Sequence, residues 1–185
     1  VLDEPHLRLL CHEGEFQPLL GELALHKLDA VLADRAAPPN PALRTTSQLL
    51  GNSTIAWFAP PLWAEAARQG FPHSLAVVPV LLPTDHAAMR ARIDHWLERE
   101  RIRPRIAGEF EDSALLSTFA ATGMGVMPAP VLLAEHLAKT HGLVPVGSTP
   151  DVQEQFHLIY SARKVMHPLL TRLLEAGQSE MLLNQ

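Results

Sequence analysis

Apolar residues recur along this chain in two rhythms, and their alternation predicts the architecture. Phe16, Leu19, Leu20 and Leu23 repeat at spacings of three and four with Glu15 and Glu22 facing away, which predicts an amphipathic helix. Before it, residues 7–11 form a short apolar run; after it, residues 28–33 form a near-continuous one ended by Asp34-Arg35. Each predicts a strand, the second parallel and covered on both faces, so the opening reads as a βαβ unit. The three prolines of residues 36–41 exclude regular structure there. Residues 53–59, with Trp57 and Phe58, predict a strand stopped by Pro60-Pro61, followed by a short helix over 62–69 closed by Gly70. Residues 77–82, interrupted by Pro79, predict an edge or crossover strand.

Thr84 or Asp85 is placed to cap a long helix whose buried face carries Met89, Ile93, Trp96 and Leu97. Arg90, Arg92, Glu98, Arg99 and Glu100 then make a solvated outer face. The stretch 108–130, GEFEDSALLSTFAATGMGVMPAP, organises the rest: it predicts a strand end, a helix, a glycine turn, a strand and the start of another helix. Asp112 stands where its carboxylate can cap free N–H groups, with Glu111 also near the positive end of the helix dipole. Leu115, Leu116, Phe119 and Ala120 fall on one helical face, and Gly123 and Gly125 bracket a tight reversal into Val126-Met127. A helix over 131–139, short strands over 143–146 and 156–162, and a final helix from Pro168 to Gly177 complete the order. Strands alternating with helices predict an α/β protein with mainly parallel sheets.

Composition narrows the function. Hydrophobic residues make up 47% of 185 and the net charge is -5, which excludes a disordered acidic tail and leaves no basic surface for nucleic acid. The single cysteine, Cys11, excludes an internal disulfide and sits in an apolar run, which predicts a small buried residue. No apolar run reaches the length of a membrane span, and no signal peptide is visible. Ten histidines invite a metal reading, yet His136 and His141 lie five apart and no HExxH pattern or Cys/His cluster occurs. No GxSxG, GxGxxG or P-loop pattern is present, and Ser113 and Ser117 have no evident partner base, so no enzyme, catalytic residue or cofactor is expected.

The stretch from Gly108, GEFEDSALLSTFAATGMGVMPAPVLLAEHL, resembles the second half of the effector-binding domain of LysR-type transcriptional regulators, where an acidic residue opens a helix ending in an A-x-G-x-G turn. EFQPLLGELALHKLDAVLAD, from Glu15, is similar to that family's other recurrent element, a leucine-rich helix running into a strand. Within the family, HKLDAVLAD and GEFEDSALLSTFAA are most similar to the NhaR branch, sodium-responsive activators of sodium/proton antiporter genes. The resemblance implies two small Rossmann-like subdomains of the type II periplasmic-binding-protein-like fold. It places subdomain I at 1–80 plus 163–185 and subdomain II at 81–162, with crossings near 79–83 and 160–163. The family's first strand and helix, and its winged helix-turn-helix, are not found in these residues. Operator DNA would then be met only through that N-terminal domain, in a cytoplasmic homodimer or homotetramer.

The resemblance also implies an inter-lobe cleft for a small effector, rimmed by His12, Glu13, Asp34, Thr84, Asp85, Glu111, Asp112 and Met127. Taken singly, each polar member is explained by capping or a surface position. Five carboxylates among them disfavour an anion and suit a hard cation with oxygen ligands, so Asp34, Asp85, Glu111 and Asp112 are the expected sodium ligands. The alternative is a solute-binding protein of the same fold serving a transporter; an enzyme built on Cys11 or a carboxylate pair is a third reading.

Overall fold

The computed structural model describes residues 8–41, 43–162 and 168–183; the polar lead-in read at residues 1–5 lies outside them. They fold into two units, Val1–Asn52 with Gln155–Gln185, and Ser53–Glu154. The α/β architecture is as the alternating periodicities predict.

The first unit holds α1 (Phe16–Ala24), β1 (Ala30–Ala33) and α6 (Pro168–Leu183), with the outer parts of two long strands, β2 (Thr45–Ala59) and β6 (Val144–Ser161). β1 runs antiparallel to β6, Ala30 opposite Tyr160 and Ala33 opposite His157. Leu20 and Leu23 of α1 close onto Val31 and Ile159, with Phe16, Leu19 and Leu28 packed around them. The expected opening βαβ unit is therefore not formed. Residues 8–15 carry no regular structure, and Leu9 and Leu10 are 72% and 63% exposed. Cys11 is exposed rather than buried. An apolar run makes a strand only where a neighbour completes its hydrogen bonds. β1, antiparallel rather than parallel, turns Leu32 outward, 63% exposed, so it is not covered on both faces. Gly177 does not end α6, which runs on to Leu183.

The second unit contains α2 (Pro61–Arg68), a 3-10 turn (His73–Ala76), β3 (Pro79–Pro83), α3 (Ala88–Arg99), β4 (Arg105–Phe110), α4 (Ser113–Ala121), β5 (Met127–Pro130), a second 3-10 turn (Val131–Leu133) and α5 (Ala134–His141). β3 pairs in parallel with β4 on one side and bridges Val126, also in parallel, on the other. All five of its residues are buried. It is an interior strand, not an edge or crossing strand. Pro79 and Pro83 bound it, so the missing N–H groups fall at its two ends. β5 runs antiparallel to β2, with Ile55 opposite Pro130 and Phe58 opposite Met127. The passages between units fall at 52/53 in β2 and 154/155 in β6. Both strands are longer than the periodicity predicts, which marks strands only over 53–59, 143–146 and 156–162.

Two buried clusters fill this unit. One gathers Trp57, Leu75, Val80, Leu82, Ile93 and Trp96, with the Trp57 and Trp96 rings 6.2 Å apart and Phe71 stacked 6.3 Å from Trp96. The other gathers Phe58, Leu81, Leu116, Ala120 and Met127. The glycine turn joins them: Gly123 has φ +94, a left-handed conformation suited to glycine, and accepts the Trp63 indole N–H at 2.8 Å. At Gly125 a Cβ would stand 2.6 Å from the Pro79 carbonyl oxygen, so only glycine lets the chain lie against β3. There Val126 N–H donates to Pro79 O at 2.9 Å and Leu81 N–H to Val126 O at 2.8 Å.

Candidate functional site

Parallel pairing brings two strand ends out side by side. Leu82 lies opposite Glu109 and Pro83 opposite Phe110, and the pairing continues one step further, because Thr84 N–H donates to Phe110 O at 3.0 Å. Each strand then turns into a helix, β3 into α3 and β4 into α4. The carboxyl ends of parallel strands, flanked by helix N-termini, are where open α/β sheets take ligands.

The two helix starts differ. Asp112 accepts the Leu115 N–H at 2.7 Å through its carboxylate, as expected from its position. α3 begins later than expected, at Ala88, and Ala87 at its N-cap offers no side-chain hydrogen bond. Thr84 and Asp85 lie before the N-cap, and Thr84 accepts the Ala87 N–H at its carbonyl, 3.3 Å. Asp85 is exposed, with His86 Nε2 3.7 Å from its carboxylate, and Glu111 is exposed beside the capping Asp112.

Arg90 braces this corner, and its role is hidden in the sequence. Its guanidinium donates to Pro83 O at 2.8 Å, to both Asp94 carboxylate oxygens at 2.9 and 3.0 Å, and to Glu109. Only 15% of its side chain is exposed. Burial pulls its pKa down, but the hydrogen bonds to Glu109 and Asp94 outweigh that and raise it. The ion stays charged and ties α3, β3 and β4 together. The i, i+4 spacing of Arg90 and Asp94 is visible in the sequence; the contact with Glu109 is not.

The remaining expected site residues fall elsewhere. Met127 is 2% exposed and packs in the core with Phe58 and Leu116. In the first unit, His12 and Glu13 are exposed on irregular backbone, and Asp34 follows β1 and pairs with Arg35 at 2.8 Å. The Arg35 guanidinium lies 5.3 Å from the centre of the Phe16 ring. Among the described residues no three of His, Cys, Asp or Glu come together in a group that could hold a metal ion. Within the second unit, then, Thr84, Asp85, Glu111 and Asp112 share one corner of the sheet.

The model of the LysR substrate binding domain matches residues 3–181. The chain belongs to this family. It is 25% identical over 183 residues to the transcriptional activator protein NhaR of Escherichia coli (strain K12), an alignment covering 98% of this chain and 59% of that protein. The chain thus spans well under two thirds of that relative's length. Solved structures share the fold. The reduced regulatory domain of OxyR2 from Vibrio vulnificus has a TM-score of 0.66 at 19% identity, covering 95% of this chain and 83% of that one. The effector binding domain of QuiR in complex with shikimate has a TM-score of 0.59 at 12% identity, covering 92% and 78%. The chain is thus a LysR substrate binding domain, similar to NhaR at low identity. Among the described residues no helix is long and apolar enough to cross a membrane.

Proposed function

We propose that this domain senses an effector and mediates oligomerisation for a cytoplasmic regulator of the NhaR type, whose operator contacts are made by a winged helix-turn-helix elsewhere in the full-length protein. The observation that carries the reading is the family match across residues 3–181, joined to the acidic corner at the ends of β3 and β4. An effector regulates only through different affinities for two arrangements of the protein. Thr84 supplies a hydroxyl at the corner, and Asp85 and Glu111 supply negative charge. Oxygen ligands of this kind suit a hard cation, and sodium is the effector we propose.

The test is thermal unfolding of this chain in sodium, lithium and potassium chloride at matched ionic strength. A ligand bound only by the folded state stabilises by RT ln(1 + [L]/Kd), about 2.7 kcal/mol at a hundredfold excess over Kd. The expected result is a rise in Tm for sodium and lithium that Asp85→Asn and Glu111→Gln remove. Melts indifferent to the cation would sink the sodium reading. They would favour a small hydroxylated organic effector, which the likeness to a domain holding shikimate also supports.

A further inference from the structure

Helix α3 carries a second set of polar groups, on the face turned toward β6 rather than toward β4. Arg92, His95, Trp96 and Arg99 follow one another at helical spacing and line a cavity of about 320 Å³, closed on the other side by Asp151 and Val152 of β6. The two guanidiniums are held in place from outside the helix. Arg92 donates to the Gln153 carbonyl oxygen, and Arg99 donates to Asp151 at 2.7 Å and to Glu100 at 3.4 Å. A guanidinium offers five N–H donors in a rigid fork, so these bonds orient both groups and leave donors over. The floor is apolar: Val152 and Trp96 are 3% and 5% exposed. Trp96 is itself fixed by the Trp57 and Phe71 rings.

We propose that this groove binds a monocarboxylate with a compact apolar body, the carboxylate taken by Arg92 and Arg99 and the body laid over Trp96 and Val152. Arg99 is matched by Asp151 and Glu100, whereas Arg92 bonds a neutral carbonyl oxygen, so the Arg92 charge is the one left to meet an incoming carboxylate. Asp151 and Glu100 oppose a doubly charged phosphate more strongly than a single negative charge. The groove lies on the β6 side of α3, and the acidic corner at the ends of β3 and β4 takes no part in it.

Phenylacetate and its uncharged isostere phenylacetamide are the probes, titrated into this chain by calorimetry and ligand-detected NMR at constant ionic strength. Phenylacetate is expected to bind at concentrations up to about 10 mM. The amide, and the Arg92→Gln/Arg99→Gln variant, are expected to weaken binding at least about tenfold, the loss of charge-assisted hydrogen bonds. The variant's own melt, compared with the parent chain, separates loss of the groove from loss of the fold, and Arg92→Lys/Arg99→Lys, which keeps the charge, is expected to retain part of the affinity. Equal binding of acid and amide, binding unmoved by the glutamine substitutions in a folded variant, or no saturation in the parent chain would overturn the proposal. The sodium test at Asp85 and Glu111 reads different side chains, so either result stands without the other.

Discussion

In the unit Ser53–Glu154, β3 is enclosed by β4 and the Val126 bridge, and two buried clusters pack on it through Trp57, Trp96, Phe58 and Leu116. In the other unit, α1 and β1 close around four buried residues, Leu20, Leu23, Val31 and Ile159, while Leu25 and Leu32 stay 69% and 63% exposed. The contrast bears on where the proposed ligand groups are held rigidly. Thr84, Asp85, Glu111 and Asp112 leave strands with a buried neighbour and a braced corner, so packing fixes their backbone. His12 and Glu13 sit on exposed irregular backbone, with local stability at the low end of a protein's range.

Core substitutions give the sharpest way to break this contrast. Trp57→Ala removes a fully buried indole from the middle of the larger cluster and is expected to cost about 3–5 kcal/mol. Leu23→Ala, in the small cluster, should cost about 2–3 kcal/mol, toward the lower end for a buried leucine because half-buried neighbours can relax into the space. Urea unfolding of both variants, with slopes compared, reads the difference. A Leu23→Ala loss as large as that of Trp57→Ala would mean that the small cluster is packed as tightly as the large one.

Much of the second unit was legible in the sequence because its signals are local. The Asp112 cap, the left-handed turn at Gly123 and the inward Ile93, Trp96 and Leu97 each depend on residues within a few positions. The failures share a cause, which is that the deciding partner lies far along the chain. Leu115 and Phe119 have helical spacing with Leu116 and Ala120, yet are 53% and 44% exposed, because the strands behind α4 cover a narrower face than the apolar stripe. The polar first half of β2, residues 45–52, gives no alternation, and its strand character comes from neighbouring strands in the sheet. Of the candidate site, the residue types at the strand ends were readable. The brace from Arg90 to Glu109 was not, and the anchors of Arg92 and Arg99 on β6 lie 61 and 52 residues away.

A smaller effect tests whether the acidic corner contributes stability as well as position. Asp112→Ala removes the acceptor for Leu115 N–H and should cost about 1 kcal/mol, with Asp112→Asn retaining most of it. If that cost matched the loss in the core variants, the corner rather than the core would be the stabilising part of this unit. If Asp112→Ala were silent, the carboxylate would be held there for a ligand and not for the helix.

The smallest effect should come from the surface of the same unit. Lys139 donates to Glu135 on α5, and that hydrogen bond, with the charge attraction, holds the Glu135 carboxyl below its ordinary pKa. A lowered value means that the folded state favours the charged form. The contribution is therefore present above the unfolded pKa and is lost as pH falls through the lower folded one. Both side chains are largely exposed, so water and salt screen the attraction. Glu135→Gln should lower Tm only slightly at neutral pH and low salt, and the difference from the parent chain should fade on acidification and in high salt. A large, salt-resistant loss would place a substantial share of the unit's stability in surface charge. The layered packing around β3 would then no longer account for the contrast between the two units.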